Sequence, residues 1–374
     1  MVVKMIKVGI VTIHMAYNYG AVLQAYALKH TIRKLGNICE IIDYRVESIY
    51  GCYYPFADFY LSGLNLFSIT GLRYIKYNLL SKIRWDKTAK FEHFIKKELS
   101  KDRIHNIKEL KDIDYDIVVY GSDQIWNRSI TGGEFEPFYF GKEIPHEVKK
   151  ISYAASCGNA NEDLKDDSYF LELVDEFDSI SVREYELKDY LVSAGKKAEV
   201  VLDPTLLLDK NEWIDFIKKT NRRSEKYLLI YTIYDSPSIR QRAKKIAKEN
   251  GLKIYEIDPN GETCADKVFN NLSPYEFVEV FSNAMYVLTN TFHGTCFSVI
   301  MNKEFEVYLD KHKRNNSRIV NFLTTIDLGN RISFSENGNE IKMKEKIDYM
   351  RVNLQLTSLR KKSIEYLEHN IGVK

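Results

Sequence analysis

Short, mostly apolar runs that alternate with segments of helical period most constrain what this chain can fold into. Residues 227–233, 253–257 and 286–289 read as strands, and 237–250 and 274–283 between them read as helices. Strand, helix, strand at this spacing builds parallel pairs, because a parallel crossover needs a dozen or more residues and a helix usually supplies them. The opening of the chain has the same rhythm. Ile6-Lys7-Val8-Gly9-Ile10-Val11-Thr12 is a buried-strand pattern, Leu28, Ile32 and Leu35 share a helical face that stops at Gly36, and 39–44 is a second strand. Further strands fall at 117–120, 151–156, 179–182, 199–202 and 305–309, and 85–99 is an amphipathic helix. The fold class is therefore α/β, doubly wound.

With 374 residues the chain is long for one core, so two domains are expected. Asp203-Pro204-Thr205 closes the strand 199–202, and the proline fixes the direction of exit, which places the boundary near 205. The expected domains are 1–204 and 205–340, followed by a charged C-terminal segment, 341–374, of one or two amphipathic helices that pack back across the junction.

Several function classes drop out on composition. Lys plus Arg number 54 against 52 Asp plus Glu, so no basic excess points to nucleic acid. Five cysteines without a C-x-x-C pair argue against a disulfide framework and fit a reduced cytoplasm. The first residues run straight into a strand and lack a signal peptide's apolar core, and no run approaches the ~20 apolar residues of a membrane span. The loop after the first strand has one glycine where a dinucleotide fingerprint needs three, which removes NAD and FAD. No His and carboxylate set stands at metal-ligand spacing, so no metal is expected.

The chemistry concentrates at strand ends. Met285-Tyr286-Val287-Leu288 leads into Thr289-Asn290-Thr291-Phe292-His293-Gly294-Thr295, where His293 and Gly294 are expected in the turn and the first amides of the following helix face an anion. Ligands of open α/β sheets bind outside the carboxyl ends of strands, which favours a functional His293 over a merely satisfied one. Gly121-Ser122-Asp123-Gln124, with Asn127 near, sets short polar groups over a glycine bend; it suits sugar hydroxyls, or Asp123 is a helix cap. Arg183 at a strand end suits a carboxylate or phosphate, or else forms a surface ion pair with Glu184 or Glu186. Asn18 and Gly20 permit positive φ or close approach, for a ligand or a tight turn. Ser317 reads as a helix cap, and Arg318 lies in the first turn, where a cation makes sense if it faces an anion. Residues 46–84 carry Tyr50, Tyr53, Tyr54, Phe56, Phe59 and Tyr60 without a period and read as an insertion, either for acceptor selection or membrane-surface contact, or as an interface patch.

Taken in order, Asn18-Tyr19-Gly20-Ala21-Val22-Leu23-Gln24, Gly121-Ser122-Asp123-Gln124-Ile125-Trp126-Asn127, Ser181-Val182-Arg183-Glu184, Asp203-Pro204-Thr205 and Phe292-His293-Gly294-Thr295 resemble the polysaccharide pyruvyl transferase family over about residues 8–330. The resemblance implies a fold like the GT-B glycosyltransferases, with two Rossmann-like domains facing a cleft, the first on the acceptor side and the second on the donor side. It also implies transfer of a pyruvyl group from phosphoenolpyruvate to a sugar of a cell-surface, capsular or exopolysaccharide precursor, closing a cyclic ketal. The implied partners are phosphoenolpyruvate as donor substrate, with no further cofactor, and a glycan or lipid-linked saccharide at the cytoplasmic face of the membrane. By position His293 matches the family's catalytic histidine and Arg183 its first-domain arginine. Ser122, Gln124 and Asp203, and Gly294 and Thr295, lie in the matched motifs and count with the binding residues, and Asp123 orients acceptor hydroxyls. Better studied members carry arginine two residues before the histidine, where this chain has Thr291; Arg318 or the cluster Lys311-His312-Lys313-Arg314 is left to neutralise the phosphate.

Two other functions use the same features. A GT-B glycosyltransferase would release a nucleoside diphosphate instead of phosphate, and a non-catalytic glycan- or partner-binding module would have no use for a titrating His293.

Overall fold

The computed structural model describes residues 5–51, 82–100, 103–104, 114–158, 160, 164, 167–217, 225–311, 316–334 and 345–372. Most of the aromatic stretch 46–84 and three of the four residues of the 311–314 cluster thus lie outside the described residues. The chain divides into two compact units, residues 1–207 with 362–374, and residues 208–361.

The first unit contains β1 (Lys7–Val11), β2 (Ile38–Ile41), β3 (Asp43–Tyr44), β4 (Arg103–Ile104), β5 (Ile117–Tyr120), β6 (Lys149–Ser152), β7 (Ser181–Val182) and β8 (Glu199–Val200). Four of them form a parallel sheet in the order β2-β1-β5-β6, while β3 pairs with β4 and β7 with β8. Register runs from Val8 opposite Ile117 to Val11 opposite Tyr120. Every residue of β5, and β1 from Val8 on, is buried, which is why these runs are wholly apolar. The crossover from β1 to β2 is the helix Tyr19–Lys34. Because β2 and β5 flank β1 on opposite sides, the strand order reverses between β1 and β5, the kind of switch point at whose carboxyl end α/β sheets bind ligands.

Several expected strands are shorter, among them 179–182, of which Ser181–Val182 pairs, and 199–202, of which Glu199–Val200 pairs. The 39–44 run leaves the sheet after Ile41, where Asp43 meets His14 and Arg45, and the 151–156 run ends at Ser152 because Ala154 has φ of 52°. A left-handed residue interrupts the extended run, and pairing resumes beyond it only as isolated bridges at Ala155.

The second unit is one six-stranded parallel sheet, β11-β10-β9-β12-β13-β14. Its strands are β9 (Tyr227–Tyr231), β10 (Lys253–Ile257), β11 (Lys267–Phe269), β12 (Tyr286–Thr289), β13 (Glu304–Leu309) and β14 (Ile332–Phe334). The helices Pro237–Asn250 and Pro274–Asn283 begin and end where the sequence places them. Their ends are locally encoded: the Ser236 hydroxyl accepts from the Ile239 amide, Ser273 and Glu276 form a reciprocal capping box, and Gly251 takes the left-handed conformation. Here the order reverses between β9 and β12. The helix Phe292–Ile300, which follows β12, is pinned through Phe297, whose ring lies 5.1 Å from Trp213 and 5.6 Å from Phe277.

One C-terminal helix, Tyr349–Ile371, serves both units. Its early part is held in the second unit by Arg351 donating to Asp327 at 2.6 Å, and its last turns in the first unit by the Tyr366 hydroxyl donating to the Ser152 carbonyl at 2.9 Å.

Candidate active site

At the carboxyl edge of the second sheet, Asn290 stitches the switch point together. Its Oδ1 accepts from the Ile233 amide at 2.9 Å and its Nδ2 donates to the Tyr234 carbonyl at 3.0 Å, so the loops after β12 and β9 are fixed to each other. Thr291 is the N-cap of the next helix, its hydroxyl accepting from the Gly294 amide at 2.8 Å. The helix therefore starts at Phe292, and His293 is its half-buried second residue, not part of the preceding turn. The cap also engages the Gly294 amide that the sequence assigns to a ligand. Thr295 is fully buried, with its hydroxyl donating to the Thr291 carbonyl at 2.8 Å. Gly294 has to be glycine, since a Cβ would stand 2.4 Å from Thr289 Oγ1 and 2.5 Å from Thr291 Oγ1.

Arg318 comes to the same place from another element. It is the second residue of the helix Ser317–Thr325, and its guanidinium lies 5.7 Å from the centre of the Phe292 ring. The His293 ring packs edge-on against Phe292 at 5.3 Å, so one phenyl ring carries the histidine and the arginine. Ser317 is not the cap: Asn316 holds that position without a capping bond, and its amide donates to the Asp310 carbonyl at 2.7 Å.

The first unit's edge is built differently. Gly121 has φ of 140°, and a Cβ there would lie 2.0 Å from the Tyr153 carbonyl oxygen. The peptide between Gly121 and Ser122 is cis, and Asp123 has φ of 68°, so Asp123 is no helix cap. Trp126 anchors the loop; it is fully buried, stacks on Phe140 at 5.6 Å, and donates from Nε1 to the Tyr139 carbonyl at 3.2 Å. Gln124, half-buried, accepts from Asn127 Nδ2 at 2.5 Å.

Arg183 is the buried centre of three carboxylates, neither a surface ion pair nor an open anion clamp. Its Nη1 donates to Asp203 Oδ2 at 3.0 Å and its Nε to Glu184 Oε1 at 3.3 Å, while its Nη2 lies 3.8 Å from Asp123 Oδ1. Burial alone would lower the guanidinium's pKa, but the charges of Glu184, Asp203 and Asp123 raise it above its ordinary value. Asp203, itself buried, also accepts from the Thr205 amide at 3.0 Å and hydroxyl at 2.7 Å, and the Ser122 hydroxyl lies 3.3 Å from it. Among the four acidic and basic groups, Asp123 has the most exposed side chain, at 18%. Asn18, with φ of −115°, caps the helix Tyr19–Lys34 by accepting from the Gly20 amide at 2.9 Å, so neither residue uses a positive φ.

The structure thus gathers Arg183, Asp123, Asp203 and Ser122 in one unit and His293 and Arg318 in the other. Glu184 as an Arg183 partner was legible from adjacency; Asp203 as its partner and Asn290 as the stitch had no local signal. Among the described residues no group of three or more His, Cys, Asp or Glu is placed to hold a metal, and no helix is long and apolar enough to cross a membrane.

This architecture defines a class. The structure known as the S. aureus MnaA–UDP co-structure is similar with a TM-score of 0.51 at 11% identity, covering 99% of this chain and 98% of that one. A UDP-GlcNAc 2-epimerase from Neisseria meningitidis bound to UDP-GlcNAc scores 0.47 at 11% identity over 98% and 93% of the two chains, and E. coli heptosyltransferase WaaC with ADP scores 0.41 at 12% over 94% and 99%. The fold is GT-B-like, α/β with two parallel-sheet units. No curated protein matches the sequence. The family model described as polysaccharide pyruvyl transferase matches residues 18–305, and the chain belongs to that family, a family of transferases.

Proposed function

We propose that this protein transfers the pyruvyl group of phosphoenolpyruvate to two hydroxyls of one sugar in a polysaccharide precursor, forming a cyclic ketal and releasing phosphate. The observation that supports it most is the pairing of His293 and Arg318 on the Phe292 ring at the β9–β12 switch point. Phosphoenolpyruvate becomes electrophilic at its central carbon only after its methylene takes a proton. The first sugar hydroxyl adds there and loses its proton, phosphate departs, and the second hydroxyl adds and loses its own. The reaction asks for a group that moves protons near neutral pH and for a cation beside the phosphate. His293, an imidazole in the first turn of a helix, fills the first need, by assisting phosphate departure or by taking the hydroxyl proton. Arg318 supplies the cation in place of the family's arginine, because Thr291 is committed to capping the helix.

In this reading Asp123 receives the acceptor hydroxyls. Arg183 holds Asp123 in place rather than binding the donor's anions, since the buried cluster around it is already negative. The acceptor is a glycan or lipid-linked saccharide, met on the cytoplasmic side where phosphoenolpyruvate is made.

The test is the thermal midpoint with millimolar phosphoenolpyruvate, beside UDP, GDP and CMP, in wild type and Arg318→Met. A ligand that binds only the folded state raises the midpoint. Stabilisation by phosphoenolpyruvate alone, weakened in Arg318→Met, is the expected result; stabilisation by a nucleotide alone replaces the donor with a nucleotide sugar.

A further inference from the structure

His14 is a fully buried titratable group to which the mechanism above gives no task. It stands just past β1, with Nδ1 donating to the Thr12 carbonyl at 2.9 Å and Nε2 at 2.8 Å from Asp43 Oδ1. Burial would raise the Asp43 carboxyl, but the hydrogen bonds and charges of His14 and Arg45 outweigh it and hold the group well below the usual carboxylate range. Asp43 is thus an acceptor, and both ring nitrogens of His14 face acceptor oxygens. On its far side Asp43 is gripped by Arg45, Nε to Oδ1 at 2.8 Å and Nη2 to Oδ2 at 3.2 Å. Arg45 in turn holds Glu92 at 2.5 and 3.1 Å, and the Tyr17 hydroxyl donates to Glu92 at 2.7 Å.

The near side leads to the candidate site. Thr12, whose carbonyl His14 holds, donates its hydroxyl to the Ser122 carbonyl at 3.0 Å and accepts from Gln24 Nε2 at 2.8 Å. Gln24 Oε1 accepts from the Ser122 amide at 3.3 Å, so Thr12 and Gln24 grip both backbone polar groups of Ser122. The next residue is Asp123, in its left-handed conformation.

We propose that His14 is a positioning residue: by fixing the Thr12 carbonyl at the β1–β5 switch point it sets, through Thr12, Gln24 and Ser122, the place from which Asp123 meets the acceptor sugar. Satisfied buried networks of this kind fix one geometry, and small misplacements at a reacting centre are costly. The proposal rests on the pyruvyl-transfer reading for the role of Asp123, not for the network itself.

Two variants of the full chain separate the ends of the imidazole. His14→Asn keeps a donor near Nδ1 and loses Asp43, while His14→Gln keeps a donor near Nε2 and loses Thr12. With phosphoenolpyruvate and a panel of nitrophenyl hexosides, His14→Gln is expected to lower acceptor kcat/KM roughly ten- to a hundredfold at unchanged phosphoenolpyruvate KM. His14→Asn recovers most of that loss, and Thr12→Val, which removes the hydroxyl on the same route, reproduces the acceptor-selective defect. In an Asp123→Asn background His14→Gln adds less than about twofold, because the two act as one unit. Equal losses for both substrates, or a full His14→Gln effect without Asp123, overturn the proposal. If wild type forms no ketal on any hexoside, the transfer reading is what fails, and amide exchange still decides the positioning: His14→Gln must speed exchange at Ser122 and its neighbours and His14→Asn must not. Unchanged exchange in His14→Gln overturns it.

Discussion

The carboxyl edges of the two sheets solve the same geometric problem with opposite chemistry. In the first unit the edge is dense in charge and closed on itself, one guanidinium among Asp203, Glu184 and Asp123, with only Asp123 turned partly outward. In the second it is built from threonine hydroxyls, an asparagine amide and a helix start, with His293 and Arg318 sharing one aromatic ring. Three carboxylates around one guanidinium leave the first edge rigid and net negative, which on the proposed function suits an uncharged, hydrogen-bonding guest. A helix start with a cation near it favours an anion. On the proposed function, the contrast predicts a stability role for Arg183 and a turnover role for His293.

The largest effect that tests this contrast is on rate. His293→Ala is expected to lower turnover by about a hundred- to ten-thousandfold, the usual worth of a positioned proton-transfer group, with the denaturant midpoint nearly unchanged. Phosphate release from phosphoenolpyruvate measures it; a variant that unfolds easily but turns over normally would reverse the contrast.

Arg183→Met should do the opposite. It leaves Asp203 and Glu184 buried beside each other without their cation, which is expected to cost roughly 3–5 kcal/mol in a urea titration. A loss of donor affinity with intact stability would instead make Arg183 an anion clamp.

Thr291 sharpens the second edge. Thr291→Ala removes the cap on the Gly294 amide and should cost about 1 kcal/mol, while Thr291→Ser keeps most of it. Matched midpoints for the three proteins would show that the cap is not what threonine is there for.

A further effect, read only as a pH dependence, concerns what the two units share. Lys29 in the first and Lys303 in the second are each pulled down to about 8 by burial, with the charge of Arg33 and of Lys210 acting in the same direction. Each folded-state value lies below the unfolded one, so between about pH 8 and 10.5 the unfolded chain binds a proton that the folded chain has released. Each lysine's contribution to stability therefore rises with pH across that window. Subtracting the pH series of Lys29→Met or Lys303→Met from wild type should leave that rise, and a flat difference would remove it.

Much of the second unit was legible because its signals are local. Ser236 before Pro237, and Ser273 with Glu276, announce helix starts within a few residues, and the runs in β10 and β12 are continuous enough to stand as strands. The helix Lys210–Phe216 carries the same kind of capping box, Asp209 with Glu212, but its 7 residues are too few for a helical period to show in the sequence. β11 and β14 are three-residue strands at the two sheet edges, and nothing within three residues distinguishes a strand from a loop before a neighbour pairs with it.

What the sequence determined by itself is the α/β rhythm, the family motifs and the position of His293 at a strand end, because periodicity, caps and a strand-to-helix junction all act within about one turn of chain. Only the tertiary structure decided which charges meet. Arg183 and Asp203 are 20 residues apart, His14 and Asp43 are 29, and Gln24 and Ser122 are 98. Whether a polar side chain is a partner or a ligand depends on what the folded chain has already placed opposite it, since a buried group must be satisfied from whatever segment arrives there.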